Sequence, residues 1–175
     1  MMQESYALHG TLSANRLAAQ VKKMRSARGG AGKHVYFRGV ANARYVLRKV
    51  FRIIEDQAKA AGLDPLVHQA LLQIYGSAGQ ELRVKELAER LDISPAFASS
   101  LARTLGEKGL IERLPVRGDQ RATMLRATEE GEALLTRIDA AVKLHVDYFN
   151  HQLSEEDREM TVYVMMFYVG VDLEL

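Results

Sequence analysis

The sequence contains no cysteine, no tryptophan and only three prolines. Without cysteine there is no disulfide framework, no thiolate zinc site and no thiol redox sensor. The longest strongly apolar run, Val162 to Val171, falls far short of the roughly 20 residues that span a bilayer. No apolar segment follows the early basic residues, so no signal peptide is expected and the chain is read as cytoplasmic, with no membrane partner. The five histidines (His9, His34, His68, His145 and His151) are scattered and show no metal-ligand spacing. No serine elbow and no dinucleotide fingerprint appears. Gly29, Gly30 and Gly32 cluster, and Lys33 follows, but no strand precedes them and no Gly-Lys-Ser/Thr run is present. These absences exclude the common enzyme chemistries: no catalytic residue, no metal and no cofactor is assigned.

What is present is a 175-residue chain with 47% hydrophobic residues, enough for one domain with an added arm. Net charge is only +2, yet it is unevenly spread. Residues 1–59 carry +9 (12 basic, 3 acidic), residues 60–93 carry −2, residues 94–128 carry +3 and residues 129–175 carry −8 (3 basic, 11 acidic). A basic end suits a polyanion, although charged helix faces are commonly only solvated.

Taken in order, residues 1–32 form a basic arm. Leu17, Val21 and Met24 recur at helical spacing, which predicts a short basic helix over Leu12–Met24. Arg25 and Arg28 follow and suit an anion; a loosely held arm is the equal alternative. A long helix is predicted from about His34 to Ala61, with a near-heptad stripe of Val40, Leu47, Val50, Ile54, Ala58 and Ala61 supported by Phe51. So long a stripe wants a second subunit or a long intramolecular partner. Asp64-Pro65 starts a helix to about residue 75, Leu82 suits a very short strand, and Val84, Leu87, Ala88 and Leu91 give a further short helix. Thr128 caps a helix reaching about Asn150, along which Leu134, Leu135, Ile138, Ala141, Val142, His145 and Phe149 share a face. Ser154 and Asp157 form a capping box for a last helix, roughly 155–170. Its Val162–Val169 stretch is apolar nearly all round, which again favours a homodimer.

The chemistry concentrates between Ser94 and Arg121. Ser94 is a good N-cap with Pro95 at the first helical position. Ala98, Leu101, Ala102 and Leu105 mark the inner face, and Ala96, Ser99 and Ser100 leave a small, uncharged outer face. Gly109 ends the helix. Ile111 opens a strand, Pro115 and Gly118 mark a turn, and Arg113, Arg117, Arg121 and Arg126 decorate the hairpin. Two short helices joined by Leu91-Asp92-Ile93-Ser94, followed by a β-ribbon, give a winged helix-turn-helix. Small residues permit approach to base edges, and arginines suit phosphates or a narrow minor groove. An ordinary helix–hairpin unit with solvated arginines has the same pattern.

Over about residues 35–170 the chain resembles the MarR family of bacterial transcriptional regulators. The resemblance rests on LAERLDIS, LARTLGEKGLIER and GDQRATMLRATEEGEALL, with Asp119-Gln120-Arg121 and Thr128-Glu129-Glu130-Gly131 at the places of the family's wing and the helix after it. It implies a mainly α fold with a small β-wing. A dimerisation region would be built from 33–62 and 129–175, and a DNA-binding lobe from 63–128. It implies a homodimeric regulator, most often a repressor, on a pseudo-palindromic duplex operator. By position, Arg121 would enter the minor groove with Asp119 orienting it, and the helix from Ser94 would read the major groove. Ser94, Pro95, Ala96, Phe97, Ser99, Ser100, Arg103 and Arg117 complete the DNA-binding candidates. Gln120 replaces a common second arginine, Phe97 and Ala98 replace Thr or Ser and Val, and Arg83 replaces a small hydroxyl cap.

The resemblance also implies a small effector, often aromatic and anionic. His34, Tyr36, Arg38, Tyr45, Arg48 and His68, with Arg25 and Arg28 from the arm, are the candidates, and for the helix residues the structural or solvated reading outweighs the ligand-binding one. Cysteine-based peroxide sensors and tryptophan-using urate sensors of the family do not fit this composition. The segment GLDPLVHQALLQIYG is similar to regulators of aromatic-acid catabolism that respond to hydroxycinnamoyl-CoA thioesters. The alternative function is a winged-helix protein-interaction module without DNA binding.

Overall fold

The computed structural model describes residues 19, 22, 33–116, 119–150, 153–158 and 160–161. Its elements are α1 (Lys33–Ala60), α2 (Pro65–Tyr75), a 3₁₀ turn (Ala78–Gln80), β1 (Glu81–Arg83), α3 (Val84–Arg90), α4 (Pro95–Glu107), β2 (Ile111–Val116), β3 (Asp119–Ala127) and α5 (Glu129–Asn150). The fold is mainly helical with one small antiparallel sheet. The basic helix expected over Leu12–Met24 lies almost wholly outside the described residues, of which Ala19 and Lys22 are helical. Arg25, Arg28 and Arg117 lie outside them, as does the apolar stretch 162–169. The chain divides into two compact units: Arg48–Val142, and the residues that precede and follow it.

Within Arg48–Val142 the helix starts follow from local chemistry. Asp64 Oδ1 accepts from Leu66 N at 2.9 Å, with Pro65 at a position where its missing N–H costs nothing. Ser94 Oγ accepts from Phe97 N at 3.2 Å at the start of α4. Arg83 has no acceptor to offer as a cap, so the reciprocal half of the box carries α3: the Glu86 carboxylate accepts from Arg83 N at 3.0 Å. The turn between α3 and α4 places Asp92 at φ 52°, and Ile93 N returns to Ala88 O at 3.0 Å, closing the end of α3. Ile93 packs partly buried against the core, as its place between the helices predicts.

The core joins α2, α3, α4, the sheet and the first half of α5. Leu71, Ile74, Leu87, Leu105, Leu125 and Ile138 are fully buried. Each contributes roughly 1.5–3 kcal/mol of transfer free energy. Strand order is β1-β3-β2, all antiparallel. The short strand at Leu82 is present, with Leu82 opposite Leu125, both buried. Pro115 departs from expectation. It is paired with Thr123 inside β2, and the register shifts between Pro115 and Val116. β2 is an edge strand, so a residue without an N–H disturbs no second ladder there.

The junction of wing and α5 is built on Thr128 and Gly131. The Thr128 hydroxyl donates to Gly109 O (2.8 Å) and accepts from Gly131 N (3.1 Å), while Thr128 N donates to Leu110 O (3.1 Å). Gly109, at φ 70°, turns the chain out of α4. Tyr75 of α2 donates its hydroxyl to Glu132 of α5, which holds its phenol above the ordinary range.

In the other unit, the N-cap half of the capping box read from the sequence is formed. Ser154 Oγ accepts from Asp157 N at 3.1 Å and donates to Asp157 Oδ2 at 2.8 Å.

Candidate nucleic-acid interface

α4 sorts its residues as its period dictates. Ala98, Leu101, Ala102 and Leu105 are buried. Ser94, Pro95, Ala96, Phe97, Ser99 and Arg103 are exposed, and Ser100 is half-buried. The outer face therefore carries no large charged residue over its first two turns. Arg103 lies one turn beyond Ser100, its Nη2 at 3.5 Å from Ser100 Oγ. The serine hydroxyls can donate or accept, the Ala96 methyl is apolar, and the exposed Arg103 guanidinium is of a kind that can donate to a phosphate or a guanine edge.

The wing follows directly. Asp119 and Arg121 both lie on β3, with Asp119 opposite Val116 at the end of the ribbon. Only their backbone is described, so the pairing of their side chains stays an expectation from sequence. Arg126, grouped above with the hairpin arginines, has a different setting. It stands on the central strand with Glu81 as its neighbour on β1 and Glu112 on β2. Its guanidinium donates to the Glu81 carboxylate through Nε at 2.8 Å and through Nη2. An arginine held in this way braces the sheet. Arg113 is exposed on β2.

The effector candidates are spread over both units. His34, Arg38 and Tyr45 are exposed on α1 at spacings of four and seven residues, which places them along one side of that helix. Tyr36 lies on the same helix, and Arg48 is exposed on its continuation in the second unit. His68 is 5% exposed within the core, and its Nδ1 is buried without a hydrogen-bond partner. Burial lowers its pKa from 6.5, so the neutral ring is the folded form at pH 7. The sign follows: the unfolded chain takes up a proton more readily, so stability is full above about pH 6.5 and declines as pH falls below it. Chemical denaturation between pH 7 and about 5.5 should show this decline, with a flatter pH dependence in His68→Leu. Identical pH profiles would refute it.

A cavity of about 350 Å³ opens between the end of α1 and α5, lined by Gln57, Ala60, Ala61, Arg137, Ile138 and Ala141. None of the effector candidates lines it. Its residues come from segments about 80 positions apart, and only the packing of α1 on α5 unites them. The one sequence signal was apolar spacing: Ile138 and Ala141 lie on the α5 stripe and Ala61 on that of α1.

Two short helices, an intervening tight turn and a three-stranded antiparallel wing make the Arg48–Val142 unit a winged helix-turn-helix. Residues 61–122 match the model of the MarR family. The lobe is therefore similar to the winged helix-turn-helix of that family. Over 88 residues the chain is 32% identical to the HTH-type transcriptional repressor MdtR of Bacillus subtilis (strain 168), a match covering 50% of this chain and 54% of that protein. The chain thus spans about half the length of this curated relative. It is also similar to Sco3205 of Streptomyces coelicolor, a MarR family transcriptional regulator solved in complex with DNA. That likeness has 21% identity and a TM-score of 0.60, and covers 83% of this chain and 91% of that one. CouR of Rhodococcus jostii RHA1, solved bound to p-coumaroyl-CoA, has 20% identity and a TM-score of 0.60 over 75% of this chain and 92% of that one. Among the described residues no helix is long and apolar enough to cross a membrane.

Proposed function

We propose that this chain is a ligand-responsive transcriptional regulator that binds duplex DNA as a homodimer. The observation that carries this reading is the outer face of α4: small, polar and exposed, set directly before a wing that bears Asp119 and Arg121. In this reading α4 lies in the major groove and Arg121 in the adjacent minor groove, oriented by Asp119, with Arg117 toward phosphate. Homodimerisation through 33–62 and 129–175 is supported by apolar side chains that a single chain leaves exposed. Phe37, Tyr45, Val46 and Leu47 are exposed on α1, and Leu144 is 80% exposed on α5. A two-fold dimer would present two α4 helices to half-sites about one helical turn, ~10 base pairs, apart.

The effector we propose is an aromatic acyl-CoA thioester, with repression relieved when it binds. Support comes from the Gly62–Gly76 segment and from the fold shared with CouR. The cavity beside Arg137 supplies one cation over alanine and isoleucine walls, within the size range of small-molecule sites. One experiment tests both levels. The purified chain selects duplexes from a random pool, and the enriched duplex is then titrated with p-coumaroyl-CoA or with the free acid. Enrichment of an inverted repeat and release by the thioester alone are expected. Lack of enrichment would overturn the DNA reading and favour a protein-interaction module. Enrichment with no release would overturn only the effector.

A further inference from the structure

We infer that Phe97 reads thymine 5-methyl groups and so sets part of the sequence preference of this lobe. The inference rests on the DNA-binding reading above. Phe97 is 47% exposed on the first turn of α4, a helix with a complete apolar inner face of its own in Ala98, Leu101, Ala102 and Leu105. The ring is therefore not needed to complete that face, and leaving it in water forfeits part of the stabilisation that burial would give. Its backbone is held in place, because Phe97 N donates to Ser94 Oγ at 3.2 Å and Pro95 fixes the preceding turn. Only two side-chain torsions remain free, so little entropy is lost when the ring is seated.

The neighbours sharpen the assignment. Ser100, one turn along the same side of the helix, and the exposed Ala96 are both short. A phenyl ring extends beyond them and would meet the floor of a major groove ahead of the serine hydroxyls. It offers no hydrogen bond. Of the groups displayed in the major groove, the 5-methyl of thymine is the apolar one, and the other edges present donors and acceptors that a phenyl ring would leave unsatisfied. Arg103 and the serines are suited to those polar edges. The face thus divides its reading: an apolar contact at the first turn and polar contacts one to two turns later.

The test uses the full chain and the duplex it selects from a random pool. Each thymine of one half-site is replaced in turn by deoxyuridine, which removes the methyl and leaves every pairing and polar edge intact. Wild type should bind about fourfold more weakly when one particular thymine is replaced, the equivalent of one buried methyl. Phe97→Ala should bind the thymine and uracil duplexes equally, while Phe97→Leu should keep part of the preference. If no uracil substitution weakens wild-type binding, the proposal fails while the DNA reading stands. It also fails if Phe97→Ala retains the full preference. If wild type selects no duplex, the DNA reading falls and this proposal falls with it.

Discussion

Gly131→Ala is expected to destabilise the winged lobe by about 3 kcal/mol, the upper part of the range for overpacked sites. A Cβ built on Gly131 would lie 2.3 Å from the carbonyl oxygen of Leu110, 3.2 Å from its carbonyl carbon and 3.3 Å from Leu71 Cδ1. The closest atom is backbone, so no rotamer change relieves the clash. The Leu110 carbonyl is also engaged: it accepts from Thr128 N at 3.1 Å. Moving it strains the exit from α4 and the cap of α5 together. Alanine is the better helix former by about 1 kcal/mol, and that gain offsets part of the cost without reversing it. For a lobe of this size the thermal midpoint should fall by roughly 10 °C or more. A variant as stable as wild type would mean that the α4–α5 junction is looser than described. The Thr-x-x-Gly pattern thereby has a physical content: threonine ties two segments through one hydroxyl, and glycine lets them approach.

Arg121→Ala is expected to weaken binding to the selected duplex by at least tenfold while leaving chain association unchanged. Losing a charged hydrogen bond together with a groove-inserted cation removes roughly 1.5–3 kcal/mol. Arg121 sits on the outer half of β3, near the end of the ribbon and four positions before the buried Leu125. Arg126→Ala should behave differently. Its guanidinium is committed to Glu81 across the sheet, so the effect should fall on stability, by an amount typical of partly exposed pairs, below about 1 kcal/mol. The pair of variants separates an arginine proposed for DNA from one that braces the wing.

That contrast also shows what the sequence could and could not reveal. Helix starts were legible because they depend on residues close in sequence: Asp64 and Ser94 beside their prolines, and Ser154 with Asp157. The apolar period placed Leu101 and Leu105 inward and Ser99 outward for the same reason. Contacts between distant residues were not legible. Arg126 looked equivalent to its neighbours until strand pairing brought Glu81, 45 positions away, to its side. Pro115 looked like a turn residue because only the strand order shows that it lies on an edge strand, where a proline is tolerated. His68 was readable as structural or as an effector contact, and only the packing of α2 into the core shows its ring buried with Nδ1 unpartnered. The lining of the cavity beside Arg137 depends on two helices meeting, which periodicity does not specify.

The salt dependence of duplex binding, measured for wild type and Arg121→Ala on the same selected duplex, tests the central claim most directly. Cations on α4 and the wing that neutralise phosphates release counterions, so log affinity should fall linearly with log salt at a slope near −0.9 per phosphate contacted. The account predicts a steep slope equal to several contacts for wild type, with a shallower slope, by about one unit, in the variant. An affinity indifferent to salt, or slopes and affinities identical in the two proteins, would contradict it.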